Sequence, residues 1–417
     1  MNNCLLILTN RFPFSFGEPF LETELPYHIK NFNKIIILPL DVGSNEKPTR
    51  ELPAGAETFN ISSQSKNTAR YNDRIKGAVG LLKKSNVYRL ENEEIKNSIA
   101  KRFFLEYFEA RAQHRFSEIC TAFKEIDFSG FDNIIIYSYW LFVTARTGVL
   151  LKEHFEGSKS NVRLVSRAHG YDVYPYRNKL GYLPLREVLL GKADRIYPCS
   201  DDSCRYLTEK YPTYKNKIHT AYLGTPDFGV NNAPADCFHI VSCSKTIPLK
   251  RVDRIISSLA LMKDSGVKLK WTHIGGGEQL DVLKKAALAS LEFMETNFTG
   301  MLPNRKVYEY YKENQVSVFV NVSVSEGLPV SIMEAASFGI PAVASNVGGT
   351  AEIVSDYNTG RLLPSDFSDN DLSNVILYFA GLTSKEYSFY RNNARLCWEE
   401  KFSAEKNYSC FSKMILE

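Results

Sequence analysis

Residues 323–354 read SVSEGLPVSIMEAASFGIPAVASNVGGTAEIV. Two glutamates, Glu326 and Glu334, stand in this stretch with seven residues between them. The first lies beside the turn sequence Gly327-Leu328-Pro329, and the second in a small-residue helix that ends at Gly339. A strand-like run over 340–345 follows, then the Gly348-Gly349 turn and an apolar helix start with Glu352. Strand, glycine turn and helix start in this order point backbone N–H groups at a phosphate. The two carboxylates would repel a phosphate, but they suit sugar hydroxyls as acceptors. A phosphate cradle beside two hydroxyl-reading carboxylates points to a nucleotide sugar.

The rest of the chain repeats the strand–helix alternation. Short β-branched runs fall at 5–9, 34–38, 133–137, 163–166 and 195–198, and again at 239–242, 269–274, 316–320 and 342–345. Continuous apolar strands separated by helical stretches predict parallel sheets covered on both faces. Two such sets predict two doubly wound domains, in line with 417 residues at ~100–200 per domain. The Gly-, Pro- and Asn-rich stretch 223–236 (LGTPDFGVNNAPAD) is aperiodic and divides them. The expected units are 1–222, a linker at 223–236, 237–390, and a closing helix over 391–417.

Composition narrows the class. Hydrophobic content of 44% and charged content of 24% are ordinary for a globular chain. A net charge of +4 is too small to argue for nucleic acid, yet it tolerates an anionic substrate or membrane surface. Eight cysteines are scattered without a CxxC, which predicts reduced thiols rather than a zinc site or disulfides. The run 4–8 lacks a signal peptide's basic flank and cleavage site. The longest near-apolar run, 134–143, is about half the ~20 residues of a membrane span. The expected location is the cytoplasm, including the cytosolic membrane face. Residues 74–84 (RIKGAVGLLKK) and 99–116 (IAKRFFLEYFEARAQHRF) mix basic and apolar residues at helical spacing. Such helices either pack on their own sheet or lie on an anionic membrane.

The E-x7-E block resembles that of the retaining glycosyltransferases of family 4, which have the two-Rossmann-domain GT-B fold. The resemblance covers nearly the whole chain and is strongest over about 163–410. It implies a cleft between the domains, with the final helix crossing back to the first. It also assigns residues. Glu326 would meet hydroxyls of the transferred sugar, and Glu334 the ribose. The backbone of Gly327, Leu328, Val330 and Ser331 would line the sugar and diphosphate. In HIVSCSKTIPLKRVD (239–253) Lys245 and Lys250 follow a strand; two ammonium groups there would neutralise the diphosphate. The family usually has arginine at the first position, so Lys245 keeps the charge but loses the bidentate fork. The glycines of HIGGGE (273–278) would support a tight turn near the nucleotide, and backbone around Met301 and Leu302 would read the base.

In the first domain the resemblance places His169, in SRAHGYDVYPYR (166–177), against the donor sugar, with Asp172 and Arg177 in the same loop. Gly17 matches the family's amino-terminal glycine loop. Glu18 and the Tyr139-Trp140 turn are candidates for the acceptor side. Asp369-Asn370-Asp371 could be mistaken for a metal-binding DxD, but it opens an apolar helix and reads as a cap; a metal-independent enzyme without a cofactor is expected. The implied reaction moves a hexose from a UDP- or GDP-sugar to a saccharide or lipid-linked oligosaccharide in capsule, O-antigen or exopolysaccharide assembly. A sugar-nucleotide epimerase on the same fold and a non-catalytic nucleotide-sugar-binding subunit are the alternatives. A dinucleotide oxidoreductase fits poorly, because the first strand runs into RFPFSFGE rather than GxGxxG.

Overall fold

A computed structural model describes residues 1–15, 17–61, 95, 97–231 and 236–417. The basic segment 74–84 and the linker positions 232–235 lie outside the described residues. The chain divides into one unit of Met1–Tyr222 with Tyr408–Glu417, and a second of Leu223–Asn407.

The first unit holds a six-stranded sheet built from β1 (Asn3–Thr9), β2 (Lys34–Pro39), β3 (Ala56–Thr58), β4 (Asn133–Ser138), β5 (Asn161–Ala168) and β6 (Arg195–Pro198). Its order is β3-β2-β1-β4-β5-β6, with every pairing parallel. Alternation sorts the side chains. Leu6, Leu8, Ile36, Ile134 and Ile136 fill the core on one face, while Leu5, Ile7, Ile35, Ile37 and Ile135 fill that on the other. Both faces are dry, which is why these strands read as unbroken apolar runs.

The second unit repeats the scheme with β7 (Phe238–Cys243), β8 (Leu269–Ile274), β9 (Glu295–Gly300), β10 (Val318–Asn321), β11 (Ala342–Ser345) and β12 (Gly360–Leu363). The order β12-β11-β10-β7-β8-β9 is the same winding. In each sheet the strand order reverses at one place, between β1 and β4 and between β7 and β10. Ligands of doubly wound sheets bind beyond the carboxyl ends of the strands at this place.

The stretch 391–417 is two helices rather than one. Ser384–Lys401 stays on the second unit, where the Arg395–Asp227 ion pair (2.7 Å) and the bond from Trp398 Nε1 to Thr225 Oγ1 (2.7 Å) hold it. The helix stops because Phe402 leaves helical geometry and its carbonyl accepts from Thr225 N–H at 2.9 Å. Ala404–Met414 then begins, and residues 408–417 join the first unit, with Phe411 and Ile415 in its core.

The helix Ile99–Ala122 buries one side against the first sheet's own cover, and it turns charged residues inward. Glu109 is paired with Arg146 at 2.7 Å and Arg115 with Glu118 at 2.5 Å. Among the described residues, no helix is long and apolar enough to cross a membrane.

Candidate nucleotide-sugar site

At the switch point of the second unit, the loop after β7 carries Lys245 and Lys250 and the loop after β10 carries Ser323–Glu326. These loops meet. Lys250 Nζ lies 2.6 Å from Glu326 Oε1, and Asn321 Nδ2 donates to the same oxygen at 3.3 Å. Glu326 is buried, whereas Lys245 is exposed and, among the described residues, has no ion-pair partner. The expected sugar-reading carboxylate and phosphate-reading ammonium are therefore one ion pair.

Glu334 sits one turn into the helix Val330–Ser337, buried, and accepts from Tyr308 Oη (3.1 Å) and Asn304 Nδ2 (3.3 Å). Burial pushes its carboxyl up to about 7, against the lowering effect of the Tyr308 bond. The helix begins after Pro329, which provides no side-chain cap. The first-turn amides of Val330 and Ser331 thus form a positive end directed away from the helix.

Two glycine turns close the site. Gly348 has φ +53°, and a Cβ there would lie 2.0 Å from the Glu326 carbonyl oxygen. Gly349 N–H donates to Gly327 O at 2.8 Å, tying the 348–352 turn to the E-x7-E loop. Gly348→Ala would force these segments apart. We expect about 2 kcal/mol of lost stability from overpacking and nucleotide binding weakened at least about tenfold, read by thermal unfolding and titration. Gly275–Gly277 abuts the 300–302 turn through the bond from Gly275 N–H to Gly300 O (3.0 Å), so the glycine turn and Met301-Leu302 share one wall. Met301 is exposed on it.

Two groups here carry no signal that the sequence reading used. Thr246 Oγ1 and Ser325 Oγ are buried polar atoms without a hydrogen-bond partner among the described residues. They lie in the loops after β7 and β10, beside Lys245 and Glu326, and that position was the available signal. Asp369-Asn370-Asp371 opens the helix Asp369–Ala380. Asp371 accepts from Ser368 N–H and Oγ at 2.7 Å each, and Asp369 pairs with Arg254 at 2.6 Å.

In the first unit, a cavity of about 390 Å³ opens at the switch point, beyond β1 and β4. Gly17, Glu18 and Trp140 all line it, together with Arg11, Asp41 and Tyr171. Glu18 lines the cavity and also holds its own loop. Its carboxylate accepts from the N–H groups of Asn10, Arg11 and Phe12 and from Trp140 Nε1, at 2.7–3.0 Å. These bonds shape the loop and orient the indole. His169 follows β5, its ring 4.6 Å from that of Trp140, and Nε2 donates to Tyr139 O at 3.1 Å. Burial and the Arg167 charge push the imidazole down to about 3, so it is neutral. Asp172 is a brace: its carboxylate accepts from Leu141 N–H (2.6 Å) and His169 N–H (2.5 Å) and joins the two loops.

The chain is similar to known proteins in sequence and in fold. Residues 226–396 match the family "Glycosyl transferases group 1". The chain is 26% identical over 157 residues to the amylovoran biosynthesis glycosyltransferase AmsK of Erwinia amylovora, covering 36% of this chain and 38% of that one. It is 24% identical over 248 residues to the putative colanic acid biosynthesis glycosyltransferase WcaL of Escherichia coli K12, covering 57% and 60%. The matches thus span less than two thirds of these relatives' length. In fold, the chain is similar to HepE of Anabaena in complex with UDP-glucose, with a TM-score of 0.65 at 14% identity over 99% of both chains. The chain thus has two parallel Rossmann-like sheets of the GT-B type, and residues 226–396 of the second unit are similar to the group 1 glycosyl transferases.

Proposed function

We propose that the chain is a retaining glycosyltransferase of family 4. It moves a hexose from a nucleoside diphosphate sugar, UDP- or GDP-linked, to a saccharide or lipid-linked oligosaccharide in surface polysaccharide assembly. The observation that carries this reading is the Lys250–Glu326 pair beside buried Glu334 at the second unit's switch point. The biosynthetic names of AmsK and WcaL support the polysaccharide setting, and the UDP-glucose complex of HepE supports a uridine donor.

The acceptor hydroxyl oxygen forms the new bond to the anomeric carbon on the face from which the diphosphate departs. The bond from that carbon to the phosphate oxygen breaks, and the departing oxygen takes the acceptor proton. Atoms balance between donor and acceptor, and no cofactor enters. Lys245, Lys250 and the amides of Val330 and Ser331 stabilise the charge that develops on the diphosphate. Because lysines supply that charge, transfer is expected to persist in EDTA. Neutral His169 serves as a hydrogen-bonding group rather than as a general acid. Product NMR tests the reading: the transferred sugar keeps the donor's anomeric configuration. Inversion would contradict retention, and a new sugar formed from donor alone would mark an epimerase.

Glu334 gives a pH signature. Its raised carboxyl keeps a proton in the folded protein that the unfolded chain would have released, so its contribution to stability falls as pH rises from about 4.5 through about 7. Ribose hydroxyls favour the ionised form as acceptor. Nucleotide affinity should therefore rise from pH 6 to 8, with uptake of nucleotide releasing a proton, measurable by calorimetry in buffers of different ionisation enthalpy. Glu334→Gln should flatten this profile and weaken binding about tenfold.

A further inference from the structure

A second concave surface lies on the other end of the second unit. β12 is the edge strand of its sheet, and Tyr357 precedes that strand's amino end. Lys250 and Glu326 follow the carboxyl ends of β7 and β10, so in a parallel sheet the two places are at opposite ends. Tyr357, Tyr378, Phe389 and Tyr390 line a groove of about 590 Å³, with Lys385 and Glu386 at its rim. That volume lies within the ~300–1,000 Å³ of small-molecule sites. Three of the rings are open to solvent: Tyr357 is 60% exposed, Phe389 52% and Tyr378 39%.

The rings are held in place rather than loosely displayed. Tyr357 has φ +58°, a left-handed conformation that is strained for a bulky side chain. The Arg361 guanidinium lies 3.8 Å from its ring centroid and 5.3 Å from that of Tyr378. Arg361 also donates to Tyr357 Oη at 2.9 Å and is itself pinned by Asp356 at 2.8 Å. Tyr378 and Tyr390 stand at 85° with their hydroxyls 3.0 Å apart, and Phe389 meets Tyr390 at 83°. The exposed rings of Tyr378 and Phe389 thus both stand nearly perpendicular to buried Tyr390, and hydroxyl, ammonium and carboxylate groups share the groove with them.

We infer that this groove binds a saccharide segment, away from the transfer site. A pyranose presents C–H faces, which stack on aromatic rings, and a rim of hydroxyls, which hydrogen-bond to polar groups. The groove offers both in that arrangement. Lys385 supplies an exposed ammonium, while Glu386 is already engaged by Thr383 N–H (2.9 Å) and Oγ1 (2.7 Å). An apolar peptide would leave this polar rim unanswered, and a flat protein contact would not fill a concavity. The groove would hold part of a growing glycan while its end is extended. The choice of a saccharide rests on the glycosyl-transfer reading; the ring geometry does not.

The test uses the full chain and four probes: cellohexaose, maltohexaose, isomaltohexaose and chitohexaose. Saturation-transfer NMR and titration are run with and without nucleotide. At least one probe should bind with a Kd of about 1 mM or tighter. Tyr357→Ala/Phe389→Ala should weaken it at least about tenfold, with nucleotide affinity unchanged within about twofold and thermal unfolding still cooperative. Tyr357→Phe, which keeps the ring, should retain binding. Absence of binding by all four probes, or binding undiminished in the double variant, overturns the proposal. So does self-association through this face that the same variants abolish. Nucleotide titration of the same samples reports on the transfer reading separately.

Discussion

Lys250→Ala is expected to lower sugar transfer roughly a thousandfold, the scale on which losing one preorganised electrostatic group at a reacting centre acts. The ammonium lies at the switch point of the second sheet, half-buried, and 2.6 Å from Glu326. The variant also strands a carboxylate. Among the described residues Glu326 would keep only the 3.3 Å bond from Asn321, and an unpaired, largely buried charge costs about 2–3 kcal/mol after allowance for the partial exposure of both partners. Activity loss alone is therefore ambiguous. Lys250→Ala/Glu326→Gln separates the two effects, because neutralising the stranded carboxyl restores stability but not the charge that meets the diphosphate. Thermal unfolding of this double variant should return close to the parent while turnover stays low. Recovery of turnover together with stability would show that Lys250 acts only as a structural partner.

The largest stability effect is expected at Arg167. This residue is fully buried in the first unit, with Glu24 (Nη2 to Oε2, 3.2 Å), Tyr137 (Nε to Oη, 2.8 Å) and the Ala221 carbonyl (Nη1, 2.8 Å) around it. Its guanidinium lies 3.9 Å from the ring centroid of Phe411, on the segment that returns from the second unit. Burial pushes the Glu24 carboxyl upward, but the charge of Arg167 and the hydrogen bonds from His28 and Tyr137 outweigh it and hold the group below its ordinary value. Arg167→Met removes the partner of a buried charge and should cost about 3–5 kcal/mol in denaturant unfolding. It should also speed hydrogen exchange in 408–417, where the cation–π contact is lost. Arg167→Met/Glu24→Leu should recover only part of the loss: it removes the unpaired charge but leaves His28 Nε2, Tyr137 Oη and the Ala221 carbonyl without these partners. A loss below about 1 kcal/mol for Arg167→Met would mean that the network contributes little.

Interior strands were readable because burial on both faces leaves an unbroken apolar signature, as in residues 5–9 and 133–137. β3, β9 and β12 were not read as strands, and all three are sheet edges. β9, ETNFTG, is mostly polar, and β12, GRLL, is only four residues long, so neither shows an unbroken apolar run. The break at Phe402 was invisible because it depends on Thr225, distant in sequence. At the candidate site, Glu326, Glu334, Lys245 and Lys250 were picked out by the strand–turn–helix pattern together with the family resemblance, and the fold brings Lys250 and Glu326 together. Their partners Asn304, Tyr308 and Asn321 were not, since contact with them follows only from the fold. Glu18 was legible as a candidate, but its bonds to its own loop were not, because sequence does not tell whether a carboxylate faces a ligand or nearby backbone. The ring groove was equally hidden: Tyr357, Tyr378 and Phe389 carry no shared period and converge only through the loop before β12 and two helices.

The proposed function requires the second unit to bind a nucleoside diphosphate through Lys250. Titration of UDP, GDP, ADP and dTDP into the parent and into Lys250→Ala/Glu326→Gln, followed by calorimetry, tests it most directly. One nucleotide should bind the parent clearly more tightly than the others, and the double variant should bind it at least about tenfold more weakly, a loss of about 1.4 kcal/mol. Equal affinity in the two proteins, or no heat with any of the four nucleotides, would contradict the account.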